Sequence, residues 1–327
     1  MASLDLKRTP FIQDIRPGIL EEGYFLLKKI HLNVGKKNKP FLRIILSDKT
    51  GHLPGVFFGS EKILTEIQES VTEGDIVKVS GLLEEYHDVM QVKLLKVTKE
   101  DKKKWELSRF WKRTPKDRRE LLSEIKELIN SIKHGGLKKL CRFFLSDKEF
   151  ISLFLDAPAS RFFHHAYIGG LLEHTLEVIK IASSFARVYP NADRDLLIAG
   201  AFLHDIGKVD EYQYLQYNIE HSSERRLKGH TLLGYERITP YLNKADLDEK
   251  TRIKIEHILI SHQGKKNWGA ISEPKFLEAF LIHAADYTDS SQFIFSEAKT
   301  KSIKTQNSRD PEKTDYITIL DKEIYLG

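Results

Sequence analysis

Residues 199–212 read AGAFLHDIGKVDEY, an apolar helical run that stops at an adjacent histidine and aspartate, His204 and Asp205, with Gly207 and Lys208 just beyond. An imidazole beside a carboxylate is a pair of metal ligands, and it is also an ordinary polar helix end. The dipeptide alone does not separate the two, since it is expected about once by chance in a chain of this composition. The surrounding sequence does. Ten of the 13 histidines lie between His134 and His283. The candidate ligands there are His174 in GGLLEHTLEVIKIA, His230 in KGHTLLG, His257 and His262 in EHILISHQG, and Asp286 in LIHAADYTD.

Helical spacing tests whether these groups point inward. His174 shares a face with Leu171, Val178 and Ile181, and His204 with Leu197, Gly200 and Ala201, so both imidazoles project from faces otherwise given to a core. The small residues beside His204 would let a second helix approach closely. Buried imidazoles and carboxylates are costly unless paired or coordinated, and a shared divalent metal satisfies several at once. The competing reading makes each histidine a satisfied core residue or a helix-end cation. Imidazoles mixed with carboxylates, without cysteine, disfavour a structural zinc site and suit Mn²⁺, Fe²⁺, Co²⁺, Ni²⁺, Zn²⁺ or Mg²⁺. His174, His204, Asp205 and Asp286 would hold one ion; His230 with His262 or His257 would make up a second, Asp205 bridging. Two neighbouring cations lower the pKa of a bridging water and neutralise charge at phosphorus, as phosphodiester cleavage near neutral pH requires. Lys208, one turn past His204, could hold a non-bridging phosphate oxygen. Its alternative role is an ordinary cation at a helix end.

Two kinds of sequence carry these residues. Before the basic segment, strand-like runs occur at 24–34, 40–47 and 52–59, a short helix at 61–70, and two more strands at 74–86 and 89–97. Three strands, a helix and two strands is the order of an OB-fold barrel. Period-2 alternation puts Leu42, Ile44 and Leu46 on one face of the second strand and Phe41, Arg43 and Ile45 on the other. Phe41 and Arg43, with Phe57, Phe58, Tyr86 and Gln91, could offer flat surfaces and hydrogen bonds to the bases of a single strand; each aromatic could equally be core. From Lys99 to Arg119 ten basic residues stand against four acidic ones, interleaved with Trp105, Phe110 and Trp111. This is either a strand-guiding surface or a solvated linker whose aromatics dock on a neighbouring domain. Helical periodicity then takes over at 120–132, ends near Gly135-Gly136, resumes at 137–155 and continues to about Ala298. The tail YITILDKEIYLG reads as one or two short strands.

The totals set outer limits. A chain of 327 residues can build two cores. Hydrophobic (41%) and charged (30%) fractions are those of a globular protein rather than a disordered one. The longest apolar stretch, Leu196 to Leu203, is far short of the roughly 20 residues that span a bilayer, and MASLDLKRTP lacks a signal-peptide core, so no membrane partner and a cytoplasmic location are expected. The lone Cys141 cannot form an internal disulfide. A net charge of +5 leaves attraction to polyanions to local clustering.

His174, the His204-Asp205 pair and Asp286, in that order in a helical region, resemble the HD superfamily of metal-dependent phosphohydrolases. With the barrel before them and with HHAYIGGLLEHTLEV (164–178), FLHDIGKVDEY (202–212), LKGHTLLG (227–234) and HILISHQG (257–264), they are similar to the YhaM family of 3′→5′ exoribonucleases over nearly the whole chain. The resemblance implies a multidomain α+β protein: an OB-fold nucleic-acid-binding domain (1–98), a basic linker and helix (99–135), and an all-α HD-type phosphohydrolase domain (136–327). It implies hydrolysis of single-stranded RNA, and of single-stranded DNA, from the 3′ end with Mn²⁺ or a similar ion. His174, His204, Asp205 and Asp286 carry over as ligands, His230 and His262 as ligands of a second ion, and His165 and Lys208 as residues facing substrate phosphate, so that Asp205, Lys208 and His165 are the catalytic candidates. The family motif SHHG is SHQG here, with Gln263 in place of the second histidine and His257 as a substitute candidate. A homo-oligomer is compatible with all of this. Two other functions share parts of the pattern. A small-nucleotide phosphohydrolase or cyclic-nucleotide phosphodiesterase needs the metal chemistry but no strand-binding barrel. A single-strand-binding accessory protein needs the barrel but no reactive centre.

Overall fold

The computed structural model describes residues 9–35, 38–86, 89–101, 105, 109–160, 164–215, 218–221, 227–304 and 324–325. They fall into two units, one of residues 1–113 with 214–220 and one of residues 114–213 with 221–327.

Alternation builds the first unit. Strands β1 (Gly18–Val34), β2 (Pro40–Asp48), β3 (Gly51–Phe58), β4 (Ile76–Tyr86) and β5 (Val89–Lys99), with helix α1 (Glu61–Ser70) between β3 and β4, close a barrel in the order β1-β2-β3-β5-β4. Only the short β3–β5 seam is parallel. This is the OB-fold order. Leu42, Ile44 and Leu46 point into the barrel with Phe25, Leu27, Val77 and Val92, while Arg43 between them is exposed. Strand β1 starts six residues before the expected 24, because irregularities between Leu20 and Gly23 and between Leu27 and Lys29 let one long strand pair with β4 at one end and β2 at the other. Gly81 marks a similar close approach: a Cβ there would lie 2.4 Å from the Lys93 carbonyl.

The second unit is helical: α2 (Arg118–Asn130), α3 (Gly135–Ser146), α4 (Lys148–Asp156), α5 (Gly170–Val188), α6 (Arg194–Leu203), α7 (Lys208–Glu211), α8 (Gly229–Leu242), α9 (Glu249–Ser261) and α10 (Leu277–Lys304); a short hairpin of β6 (Tyr212–Leu215) and β7 (Asn218–His221) follows α7, and its residues 214–220 group with the first unit. The helix expected over 137–155 is two helices. Asp147 leaves the helical conformation and accepts from the backbone N–H groups of Glu149 and Phe150, capping α4 where α3 ends. Gly135 and Gly136, read as a break, are the first residues of α3; a Cβ on Gly136 would meet the Ala245 and Asp246 carbonyls. The core centres on α6, buried from Leu196 to Leu203, with α5, α9 and α10 around it. Gly200 permits that packing, since a Cβ there would come within 2.5 Å of Ile282 and 2.9 Å of Ile258. No described helix is long and apolar enough to cross a membrane. Of the C-terminal tail only Ile324 and Tyr325 are described, and the rest of that strand expectation lies outside the described residues.

Candidate metal centre and nucleic-acid interface

Two helices of the second unit end in histidine by the same device. His204 follows α6 and places Nδ1 2.7 Å from the Ala201 carbonyl; His262 follows α9 and places Nδ1 2.7 Å from the Leu259 carbonyl. A backbone acceptor three residues back fixes each ring and leaves Nε2 facing inward. A carboxylate does the same for His174, whose Nδ1 on α5 lies 2.6 Å from Asp289 Oδ2 on α10; His230 Nδ1 on α8 faces Glu211 Oε2 at 3.3 Å.

All four Nε2 atoms gather around Asp205. Its Oδ2 is 3.4 Å from His174 and 3.3 Å from His204, and its Oδ1 is 3.4 Å from His262 and 3.6 Å from His230. Asp286 Oδ1 from α10 completes the first group, 3.4 Å from His174 Nε2. The atoms of His174, His204 and Asp286 lie close enough together to share one ion, as do those of Asp205, His230 and His262. The expected ligands therefore converge, with one carboxylate between two clusters. Asp205 Oδ1 and His262 Nε2 are buried without a hydrogen-bond partner, leaving lone pairs that an ion could use. Imidazole nitrogen with carboxylate oxygen is a donor set for divalent ions of intermediate softness, and the residues fit such ions.

The electrostatics point the same way. Burial works to raise the Asp205 carboxyl, but the Lys208 ammonium, His204 and His174 outweigh it and hold it well below the usual range. Burial likewise opposes charge on His174, and hydrogen bonds to Asp205, Asp286 and Asp289 overcome it, raising that imidazole well above its ordinary value. Carboxylates packed this closely draw positive charge. Lys208 Nζ supplies part of it, 2.5 Å from Asp205 Oδ2; the lysine opens α7 rather than ending a helix, and it is buried. Burial lowers its pKa, and Asp205, Tyr212 and Asp286 more than restore it.

His165 lies on the Asp289 side of His174. Its Nδ1 lies 2.7 Å from the Tyr167 hydroxyl and its Nε2 3.1 Å from Asp289, the carboxylate that also meets His174 Nδ1. A left-handed backbone at His165 (φ 47°) turns the two neighbouring histidines apart. His164 takes the inner position: its ring centroid is 5.1 Å from that of His174, and its Nε2 is buried without a hydrogen-bond partner. Burial, then the charges of His174 and Lys208, push its pKa down to about 3, so it is a neutral hydrogen-bonding group. His257 is turned away, its Nε2 3.2 Å from the Lys275 backbone N–H. Sequence reading missed His164, Asp289 and Glu211, and gave Gln263 no role of its own. The amide of Gln263, in the place of the family's second motif histidine, lies 2.9 Å from His230 Nε2. The adjacent pair His164-His165 and the one-turn spacing of Asp286 and Asp289 were the available signals.

On the barrel, Phe41 and Phe58 are partners across β2 and β3 with ring centroids 5.5 Å apart, and Phe58 is 57% exposed. Arg43 and Tyr86 are exposed, and Gln91 donates to Glu84 at 2.9 Å. Phe57 departs from expectation. At 7% exposure it lies in the barrel core, as alternation next to an outward Phe58 demands. Trp105 and Trp111 are partly buried against Leu26, Ile76 and Phe110, with Trp105 4.5 Å from the Tyr24 ring, a packing of the kind the docked-linker alternative describes.

A family model described as an HD domain matches residues 171–291, one described as an OB-fold nucleic acid binding domain matches 26–100, and one described as a putative helicase matches 107–192. Barrel and helical centre thus define a class, an HD-domain protein that carries an OB-fold nucleic-acid-binding domain. The chain is 31% identical over 280 residues to the 3′-5′ exoribonuclease YhaM of Halalkalibacterium halodurans, covering 85% of each chain, and 30% identical over 283 residues to that of Listeria welshimeri, covering 85% of this chain and 87% of the relative. It belongs to the YhaM family of 3′-5′ exoribonucleases.

Proposed function

We propose that this protein hydrolyses single-stranded RNA from the 3′ end, with single-stranded DNA as a second substrate, at a divalent-metal centre built on Asp205. One observation carries the reading: the two oxygens of Asp205 face two different pairs of imidazoles, Oδ2 toward His174 and His204 and Oδ1 toward His230 and His262. His174, His204, Asp205 and Asp286 would hold one ion, Mn²⁺ first among the candidates, and His230 and His262 with Asp205 a second. Bound there, such ions supply a water of lowered pKa and neutralise phosphodiester charge.

The remaining roles belong to the chain itself. Lys208 holds a fixed cation beside Asp205 for a non-bridging phosphate oxygen. His164 offers its unpartnered Nε2 to the same group, the part the sequence assigned to His165. Asp289 and two backbone carbonyls hold His174, His204 and His262 in the tautomer that turns Nε2 toward Asp205. On the barrel, Phe41 and Phe58 give stacking faces, Tyr86 a third, and Arg43 a cation for the backbone. The test is an end-labelled single-stranded RNA incubated with Mn²⁺ and the full-length protein, then with Asp205→Ala. A ladder growing from the 3′ end that vanishes in the variant is the expected result. Binding without cleavage would make the protein an accessory factor, and turnover of free nucleotides alone a nucleotide phosphohydrolase.

A further inference from the structure

The segment after α9 makes a feature that the metal chemistry does not use. Lys265, Lys266 and Trp268 lie on an exposed turn, and the Trp268 ring stacks on Tyr287 of α10 with centroids 5.6 Å apart and planes 8° from parallel. Both rings stay open to solvent, 46% and 43% exposed. Lys265 Nζ sits 4.6 Å over the Trp268 ring. Among the described residues neither Lys265 nor Lys266 pairs with a carboxylate, and residues 261–271 contain no acidic side chain.

This pair is tied to the centre at three points. Tyr287 directly follows the candidate ligand Asp286. His283, whose ring is 6.1 Å from Trp268, has Nδ1 2.9 Å from the His262 carbonyl. The third tie is Gln263: its Nε2 lies 2.9 Å from His230 Nε2, while its Oε1 lies so close to Gly269, just after Trp268, that a Cβ there would fall 2.4 Å away. Gly269 (φ 107°) and Gly264 (φ 82°) are glycine for reasons of conformation and of space, the latter because a Cβ would enter the His283 ring. The turn is held in place, and what it presents is part-exposed aromatic surface beside ammonium groups that no carboxylate meets among the described residues.

Flat exposed rings flanked by cations match the π-face and phosphates of single-stranded nucleic acid. We propose that Trp268 and Tyr287, with Lys265, form a base-stacking platform on the helical unit that receives the nucleotides nearest the scissile bond. The proposal rests on the nuclease reading above and names a second strand-binding surface besides the barrel.

The experiment is equilibrium binding of a short fluorescein-labelled oligouridylate to the full-length protein in EDTA, followed by anisotropy. Trp268→Ala should weaken binding about tenfold and Trp268→Phe should keep most of the affinity, as loss and retention of a stacking face require. Lys265→Gln, a surface change, should weaken binding several-fold and flatten its salt dependence. Unchanged affinity in Trp268→Ala, or equal losses in the Ala and Phe variants, overturns the platform. So does a Trp268→Ala protein that binds normally but changes its mass by light scattering, which would make a second copy of the chain the occupant. Wild-type cleavage in Mn²⁺ is scored separately. Cleavage with undisturbed Trp268→Ala binding removes the platform and keeps the nuclease; platform-dependent binding without cleavage removes the nuclease and keeps the platform.

Discussion

Asp289 shows how a carboxylate can act from behind a candidate ligand. It lies 2.6 Å from His174 Nδ1 and 3.1 Å from His165, and those contacts with its own two neighbours hold its carboxyl below the usual range although burial pushes the other way. Losing a partner of this type typically lowers metal affinity by roughly 10- to 100-fold, so Asp289→Ala should weaken Mn²⁺ binding by about that factor in calorimetry. An unchanged dissociation constant would mean that His174 is oriented by something else. Phe57 and Phe58 give a second contrast. Phe57→Ala empties barrel core and should cost about 3–5 kcal/mol of stability, whereas Phe58→Ala should change stability by less than about 0.5 kcal/mol and weaken single-strand binding. Two of the candidate ligands, His174 and His204, were legible as inward-facing because the sequence sets apolar residues around them at helical spacing; the others stood out by their clustering and by the family motifs. The partners behind them were not. A second carboxylate one turn past Asp286 looks like any exposed acid until α5 is packed against it, and which of two adjacent histidines faces inward depends on one backbone angle.

Elements carry the geometry that residues cannot set alone. Helix α6 brings His204 to its place only because Gly200 lets Ile258 and Ile282 pack against its backbone. Gly200→Ala should therefore destabilise the fold by about 1–3 kcal/mol through overpacking, read as a lower midpoint in urea. Asp147→Ala, at the junction of α3 and α4, should cost about 1 kcal/mol through the lost cap, and an unchanged midpoint would argue against the cap. Strand and helix positions were largely legible, since periods of 2 and 3.6 are local signals. The α3–α4 break was hidden because Leu145 and Phe150 keep the apolar rhythm across Asp147. The early start of β1 was hidden for another reason: pairing with β4, some sixty residues away, is a tertiary event. The Cys141 thiol belongs at this scale too. It is sealed inside the helical core, where burial pushes its pKa upward, so a thiol reagent should modify it only after unfolding.

At the scale of the whole chain, two units with separate cores hold the barrel surface and the metal centre. Combining Arg43→Ala with Phe58→Ala should raise KM for long strands by a larger factor than KM for a dinucleotide, because a short substrate engages fewer sites. Equal factors would sink that division of labour. Each phosphate contact removed should also reduce the salt dependence of binding by about 0.7 in the logarithmic slope. Adding Mn²⁺ to chelated protein at roughly a hundred times its dissociation constant should stabilise the native state by about 2.7 kcal/mol, seen as a higher thermal midpoint that Asp205→Ala abolishes.

The paired devices at the ends of α6 and α9 bear on how such a protein meets changing metal supply. Backbone carbonyls, not ions, aim His204 and His262, so the pocket exists before its cargo arrives. On the proposed reading, loss of a divalent ion should leave the polypeptide folded, and reloading should restore activity without a new round of folding. Circular dichroism of stripped and reloaded samples should then superimpose, unlike that of a zinc finger, which loses its shape with its ion.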